Sequence, residues 1–118
     1  MLWLGVDDTN PFVQVYRQAQ ATYPDILQDT GRQLQWIDNV LARSTEIWKL
    51  VVSHHPLYSV GKDHGDQDEL VQLGPLFQKF GSQMNLSGHA HTLQHLPPVG
   101  PTYLVISGGG GAFSGPYC

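Results

Sequence analysis

The chain has 118 residues, room for one small domain and too little for two. Its formal net charge is -4 with only 14% charged residues, which argues against a general binder of nucleic acid or of an anionic membrane. Cys118 is the only cysteine, so an internal disulfide and a cysteine-based zinc cage are both excluded.

Residues 2–6, Leu-Trp-Leu-Gly-Val, predict a buried strand ended by the turn formers Asp7, Asp8, Thr9, Asn10 and Pro11. Such a strand needs neighbours on both sides. The opening residues carry no basic segment, and their apolar run is too short for a signal peptide. No apolar stretch anywhere approaches the ~20 residues of a membrane span. Residues 11–30 read as irregular, with a short helical piece over 12–21. An amphipathic helix follows, capped by Asp29 or Thr30. Leu34, Ile37, Val40 and Leu41 share its apolar face, with Trp36 flanking. Residues 48–53 form the next strand, which Pro56 stops after His54-His55. A loop then runs through Gly61, His64 and Gly65.

A second helix is predicted from about Asp66, with Leu70, Val71, Leu73, Leu76, Phe77 and Phe80 as its apolar positions. Pro75 lies inside that pattern and predicts a kink or a split. Met84 to Ser87 ends a third strand, and residues 102–106 form a fourth, closed by a glycine turn over 107–111. That glycine run lacks the lysine and following helix of a phosphate-cradling loop. The order strand, helix, strand, helix, strand, strand predicts an α/β layer structure with ligands at the strand ends.

The chemistry concentrates in histidines that follow strands. Gly88-His89-Ala90-His91 succeeds one strand, and His54 closes another. In an extended segment, histidines at i and i+2 point to the same face, and Gly88 permits a sharp turn beside them. Neutral imidazole suits zinc, iron and manganese. Three imidazoles either complete a single zinc site with water or form half of a two-metal site, its ions roughly 3.5–4 Å apart. A two-metal site also needs carboxylates. The candidates are Asp7, Asp8, Asp63, Asp66, Asp68 and Glu69, none in an Asp-x-His motif. An isolated His95 is more simply a satisfied polar residue, and Trp3, Trp36 and Trp48 are packing residues.

Val51-Val52-Ser53-His54-His55-Pro56, then His64-Gly65-Asp66, then Leu86-Ser87-Gly88-His89-Ala90-His91, then residues 103–110, resemble the C-terminal half of the purple acid phosphatases. The resemblance is to the small, tartrate-resistant type within the calcineurin-like metallophosphoesterases. Asp8-Thr9-Asn10-Pro11-Phe12 is similar to an Asp-Thr-Thr-Pro-Phe segment that follows a core strand in plant members.

The resemblance implies a four-layer α/β/β/α sandwich, with residues 1–118 the C-terminal portion of one calcineurin-like phosphoesterase domain. It implies a dinuclear centre of Fe with Zn, Mn or Fe. His54 and His89 would bind the exchangeable divalent ion, and His91 the ferric ion. His64 would face the substrate, contacting phosphate or helping to protonate the leaving group. The implied activity is acid hydrolysis of phosphate monoesters by a metal-bound hydroxide, in secreted, lysosomal or vacuolar proteins.

The departures from the family matter as much. Its first half carries Asp-x-His, a Gly-Asp-x-x motif with the bridging Asp and a Tyr, and Gly-Asn-His; neither Asp-x-His nor Gly-Asn-His occurs here, and Gly65-Asp66 has no Tyr following it closely. Ala90 replaces the common Asp between the two histidines. The chain therefore reads as part of an acid phosphatase, inactive by itself and completed by a missing N-terminal half or a partner chain. The alternative is a non-catalytic metal-binding or partner-binding remnant of the same fold. A single-zinc hydrolase on His54, His89 and His91 would need a general base, and no convincing one is visible.

Overall fold

The computed structural model describes residues 2–7, 9–13, 18, 29–60 and 70–111, the backbone alone at 2–7 and 10. Five strands form one sheet: β1 (Leu2–Asp7), β2 (Trp48–Ser53), β3 (Met84–Ser87), β4 (Leu93–Val99) and β5 (Thr102–Ser107), in the spatial order β1-β2-β3-β5-β4. β1, β2, β3 and β5 are parallel neighbours, and β4 runs antiparallel to β5. Asp7, Ser53, Ser87 and Ile106 lie in one row of the register, so four strand ends meet along one rim. Among the described residues β1 pairs with β2 alone.

β4 is absent from the sequence-based expectation. Pro97 and Pro98 lie inside it, and proline cannot donate to a ladder. The strand survives because it is an edge, with its register broken between Leu96 and Val99. Gly100, at φ 58, turns the chain back into β5.

Helix α1 (Thr30–Arg43) begins at Asp29, whose side chain accepts from the Arg32 N–H at 2.9 Å. This satisfies one of the first-turn donors that a helix leaves open. Asp29→Ala is expected to cost about 1 kcal/mol, read as a lower melting temperature. Ile37 and Leu41 are buried and Leu34 packs beside them, while Trp36 is exposed.

Helix α2 (Leu73–Lys79) continues a 3-10 turn over Leu70–Gln72. Pro75 therefore falls in the first turn of α2, where its missing N–H has no intrahelical acceptor. The segment is two short pieces, as expected, but they meet at Gln72–Leu73 ahead of Pro75 rather than at it. At the other end, Gly81 takes φ 65, the Ser82 N–H reaches the Phe77 carbonyl at 2.9 Å and the Gly81 N–H reaches that of Gln78 at 3.2 Å. This left-handed cap satisfies the last carbonyls and sends the chain into β3. The expected helical start near Asp66 and the helical piece over 12–21 lie outside the described residues, except Gln18, which is helical.

Phe12, Val13, Ile37, Leu41, Val51, Leu57, Leu70, Leu73 and Phe77 form the main core. They join the 3-10 turn Asn10–Phe12, both helices and one face of the sheet. A second cluster of Ala90, Leu96, Leu104 and Ile106 meets it at Tyr58. The opposite face carries Trp48, Leu50, Val52, Met84, Leu86, Tyr103 and Val105, and none of these is fully buried. Trp48 is 56% exposed and Tyr103 50%. Parallel sheets are normally covered on both faces. The described residues thus form two layers, one α/β half of the expected sandwich.

Candidate metal centre

The strands place the histidines before any side-chain chemistry does. Ser53 of β2 is the register partner of Ser87 of β3, so the residues that follow leave the sheet side by side. The Gly88 N–H then donates to the His54 carbonyl at 3.0 Å, joining the two exits directly. His54, His55 and His89 come together there, with one ligand nitrogen from each lying within 4.8 Å of the others.

His89 Nδ1 and His54 Nε2 are 3.2 Å apart. Two nitrogens each ~2.05 Å from one zinc ion at the tetrahedral angle lie about 3.3 Å apart. The observed separation therefore suits two imidazoles sharing a cation. The rings of His54 and His55 meet edge-on, with centroids 4.6 Å apart, and His89 lies 4.4 Å from His55. His54 is exposed and His55 buried, so the group forms a wall with an open side.

The turn that carries His89 is not extended. His89 itself takes φ 60, while Gly88 does not enter the left-handed region. Tight contacts follow, from the Ala90 N–H to the Gly88 carbonyl and from the Thr92 N–H to the Ala90 carbonyl, each 2.7 Å. The same-face rule for i and i+2 therefore fails here. A left-handed histidine is less costly than most side chains there, and such conformations concentrate at functional sites.

A buried polar chain supports the site from within the sheet. Asn85 donates to the Val51 carbonyl and to Ser53 Oγ, and Ser53 Oγ donates to the His55 carbonyl at 3.0 Å. On the other side of His55, Thr9 Oγ1 accepts from its backbone N–H at 2.9 Å and lies 2.8 Å from its ring Nδ1. These four residues are buried. Asn85, a polar residue between Met84 and Leu86 of β3, is a sequence signal that could have pointed to this support. Thr9, 46 positions from His55, gave none.

The other expected site residues fall differently. His91 is exposed in the turn beyond His89, outside the three-histidine group. His95 is exposed on β4, its ring 6.0 Å from that of Tyr103. Asp7 ends β1 in register with Ser53, on the rim that carries the histidines. His64, Asp8, Asp63, Asp66, Asp68 and Glu69 lie outside the described residues. Among the described residues, no helix is long and apolar enough to cross a membrane.

Comparison with known proteins fits this geometry. Residues 7–93 match the calcineurin-like phosphoesterase family. Purple acid phosphatase 7 of Arabidopsis thaliana is 34% identical over 111 residues, a match spanning 87% of this chain and 34% of that protein. Tartrate-resistant acid phosphatase type 5 of Oryctolagus cuniculus is 37% identical over 96 residues, 80% of this chain and 29% of that protein. The chain thus spans about a third of the length of these relatives. Among solved structures, GAP50, the anchor in the inner membrane complex of Plasmodium, superimposes with a TM-score of 0.64 at 16% identity, over 92% of this chain and 32% of that one. The purple acid phosphatase PPD1 from yellow lupin seeds gives 0.56 at 21% identity, over 68% and 19%. Both likenesses are of fold.

Proposed function

This chain belongs to the calcineurin-like phosphoesterase family, and from that premise we propose that it forms the histidine side of an acid phosphatase centre for phosphate monoesters. The observation that carries the reading is the His54–His89 pair, 3.2 Å apart at two neighbouring strand ends. Imidazole suits iron, zinc and manganese, which fits a dinuclear centre of Fe with Zn, Mn or Fe. When bound, such a pair of ions polarises phosphate and supplies a nucleophile at acid pH. His54 and His89 hold the divalent ion, His91 reaches the second, and His64 meets the phosphate or the leaving group.

In this reading the chain needs further polypeptide, from the same protein or from a partner. Two features support that need. The face with Trp48, Leu86 and Tyr103 is apolar and uncovered by any described element, and no described strand pairs with the outer edge of β1. The added part brings the carboxylates that hold two cations together against their mutual repulsion. The isolated chain is therefore expected to show no turnover of an aryl phosphate near pH 5 with iron and zinc or manganese supplied. Robust turnover would overturn this division of labour.

A second reading is a non-catalytic remnant that keeps a metal or a partner. The described part of the cluster favours it to this extent, that its members are all imidazoles. Metal stoichiometry separates the two. An active unit should hold about two ions, whereas a histidine-only remnant should hold at most one.

A further inference from the structure

We propose that Asn85 is a positioning residue of the metal centre: acting through the Ser53 hydroxyl, it fixes the bend after β2 that brings His54 to His89. The inference deepens the metal-centre reading above and rests on it.

Asn85 stands in a row of the sheet between Val51 of β2 and Leu104 of β5, both buried and apolar. At 1% exposure it is sealed from water, a costly place for an amide unless the amide is hydrogen-bonded. Its bonds run toward β2. Asn85 Nδ2 donates to the Val51 carbonyl at 3.2 Å and to Ser53 Oγ at 3.1 Å. A carbonyl only accepts, so the contact with Val51 sets which end of the amide faces β2. Ser53 Oγ therefore accepts from Asn85, and its own single proton goes to the His55 carbonyl, 3.0 Å away. The direction of all three bonds follows from one backbone carbonyl and involves no titratable group.

The last of these bonds shapes the chain. In an extended strand, the second residue on lies about 6.6 Å further along. A serine hydroxyl 3.0 Å from the carbonyl of that residue requires the chain to fold back, and His54 and His55 are both bends. The fold-back leaves the His54 carbonyl at the β3 exit, where the Gly88 N–H donates to it at 3.0 Å. Two successive carbonyls are thus pinned, that of His54 by Gly88 and that of His55 by Ser53. The His54 ring is exposed, so this backbone, rather than packing around the ring, sets where it projects. It projects to His89, with Nε2 3.2 Å from His89 Nδ1. Asn85 belongs to the strand that delivers His89. Its amide therefore ties the two ligand-bearing strands within the sheet, as Gly88 ties them at the rim. Partners of this kind, one bond removed from the ligands, orient metal-binding histidines.

Zinc calorimetry on Asn85→Leu tests the role. Leucine suits the apolar row and strands no donor, because Ser53 can still donate to His55. Zinc binding should nonetheless weaken ~10-fold or more. Asp29→Ala, which lowers stability at the start of α1, should leave zinc affinity unchanged, and an equal loss there would reduce the effect to stability. Ser53→Ala should match the loss, and Ser53→Thr, which keeps the hydroxyl, should restore most of the binding. Adding Asn85→Leu to Ser53→Ala should change nothing further, since the amide acts through the hydroxyl. Unchanged affinity in folded Asn85→Leu, or losses that add in the double variant, would overturn the proposal. Melting curves establish folding. Should Asn85→Leu fail to fold, the Ser53→Ala and Ser53→Thr pair decides the same relay. In the metal-free chain, nuclear Overhauser contacts between the His54 and His89 rings, with centroids 5.0 Å apart, should be present and should fade in Asn85→Leu. Failure of the unsubstituted chain to bind zinc would defeat the metal-centre reading, and persistence of these ring contacts in Asn85→Leu would still refute the positioning role.

Discussion

Replacing His89 with alanine is expected to abolish metal retention, with affinity falling by more than ~100-fold. Loss of a partner that merely orients a ligand costs 10–100-fold, and loss of the ligand itself should exceed that. His89 Nδ1 sits 3.2 Å from His54 Nε2, so its removal leaves His54 without the second nitrogen of the pair. His89 is only partly buried, and its ring packs against other imidazoles rather than against either hydrophobic core cluster. The fold should therefore survive. Alanine also disfavours φ 60, so a modest drop in melting temperature accompanies the change. Metal analysis after dialysis measures the main effect. Retention equal to that of the unsubstituted chain would remove His89 from the ligand set. His91→Ala in parallel tests the second ligand assignment. An exposed turn residue should leave the first ion's affinity unchanged.

Gly108→Ala should be the most damaging small substitution near the site. A Cβ at Gly108 would run into the backbone carbonyl of Ala90. Backbone cannot rotate aside as a side chain does. Ala90 is buried and held in both directions, its N–H on Gly88 and its carbonyl under the Thr92 N–H. Relief requires the His89 turn to lift away from β5, which moves His89 from His54. Overpacking of this kind costs about 1–3 kcal/mol. Roughly 4–8 °C of melting temperature follows per kcal/mol in a small domain. Weaker zinc binding should accompany the loss of stability. Gly110→Ala is the matched control, since a Cβ there meets nothing within 4 Å. Equal melting temperatures for Gly108→Ala and Gly110→Ala would show that the β5 turn does not press on the metal-binding turn.

The parts of the fold legible in the sequence are those encoded over neighbouring residues. Helix α1 shows its apolar period and its Asp29 cap within one stretch, and both appear in the structure. β2, β3 and β5 are short apolar runs ended by turn formers. β4 was not legible because Pro97 and Pro98 argue against a strand, and only its edge position makes them harmless. Pro75 misled for a related reason. Its cost depends on its place in the helix, and that place was set by the 3-10 turn before it.

The site divides along the same line. His54 and His89 could be singled out because histidines that close apolar strands are unusual, and the family motifs around them are contiguous. Those residues determined the fold family and the rim of the sheet at which its chemistry gathers. Which imidazoles meet was decided by tertiary structure alone. His55 follows His54 directly, and alternation along a strand would turn it away. The chain bends after Ser53 instead, and Thr9 draws the His55 ring under the pair. His91 stays outside the group because His89, at φ 60, breaks the extended geometry that the i and i+2 rule assumes. Neighbouring residues declare a strand end, but the direction of a ring beyond it depends on hydrogen bonds to distant segments. Those bonds exist only once the parallel strands have set β1, β2 and β3 side by side.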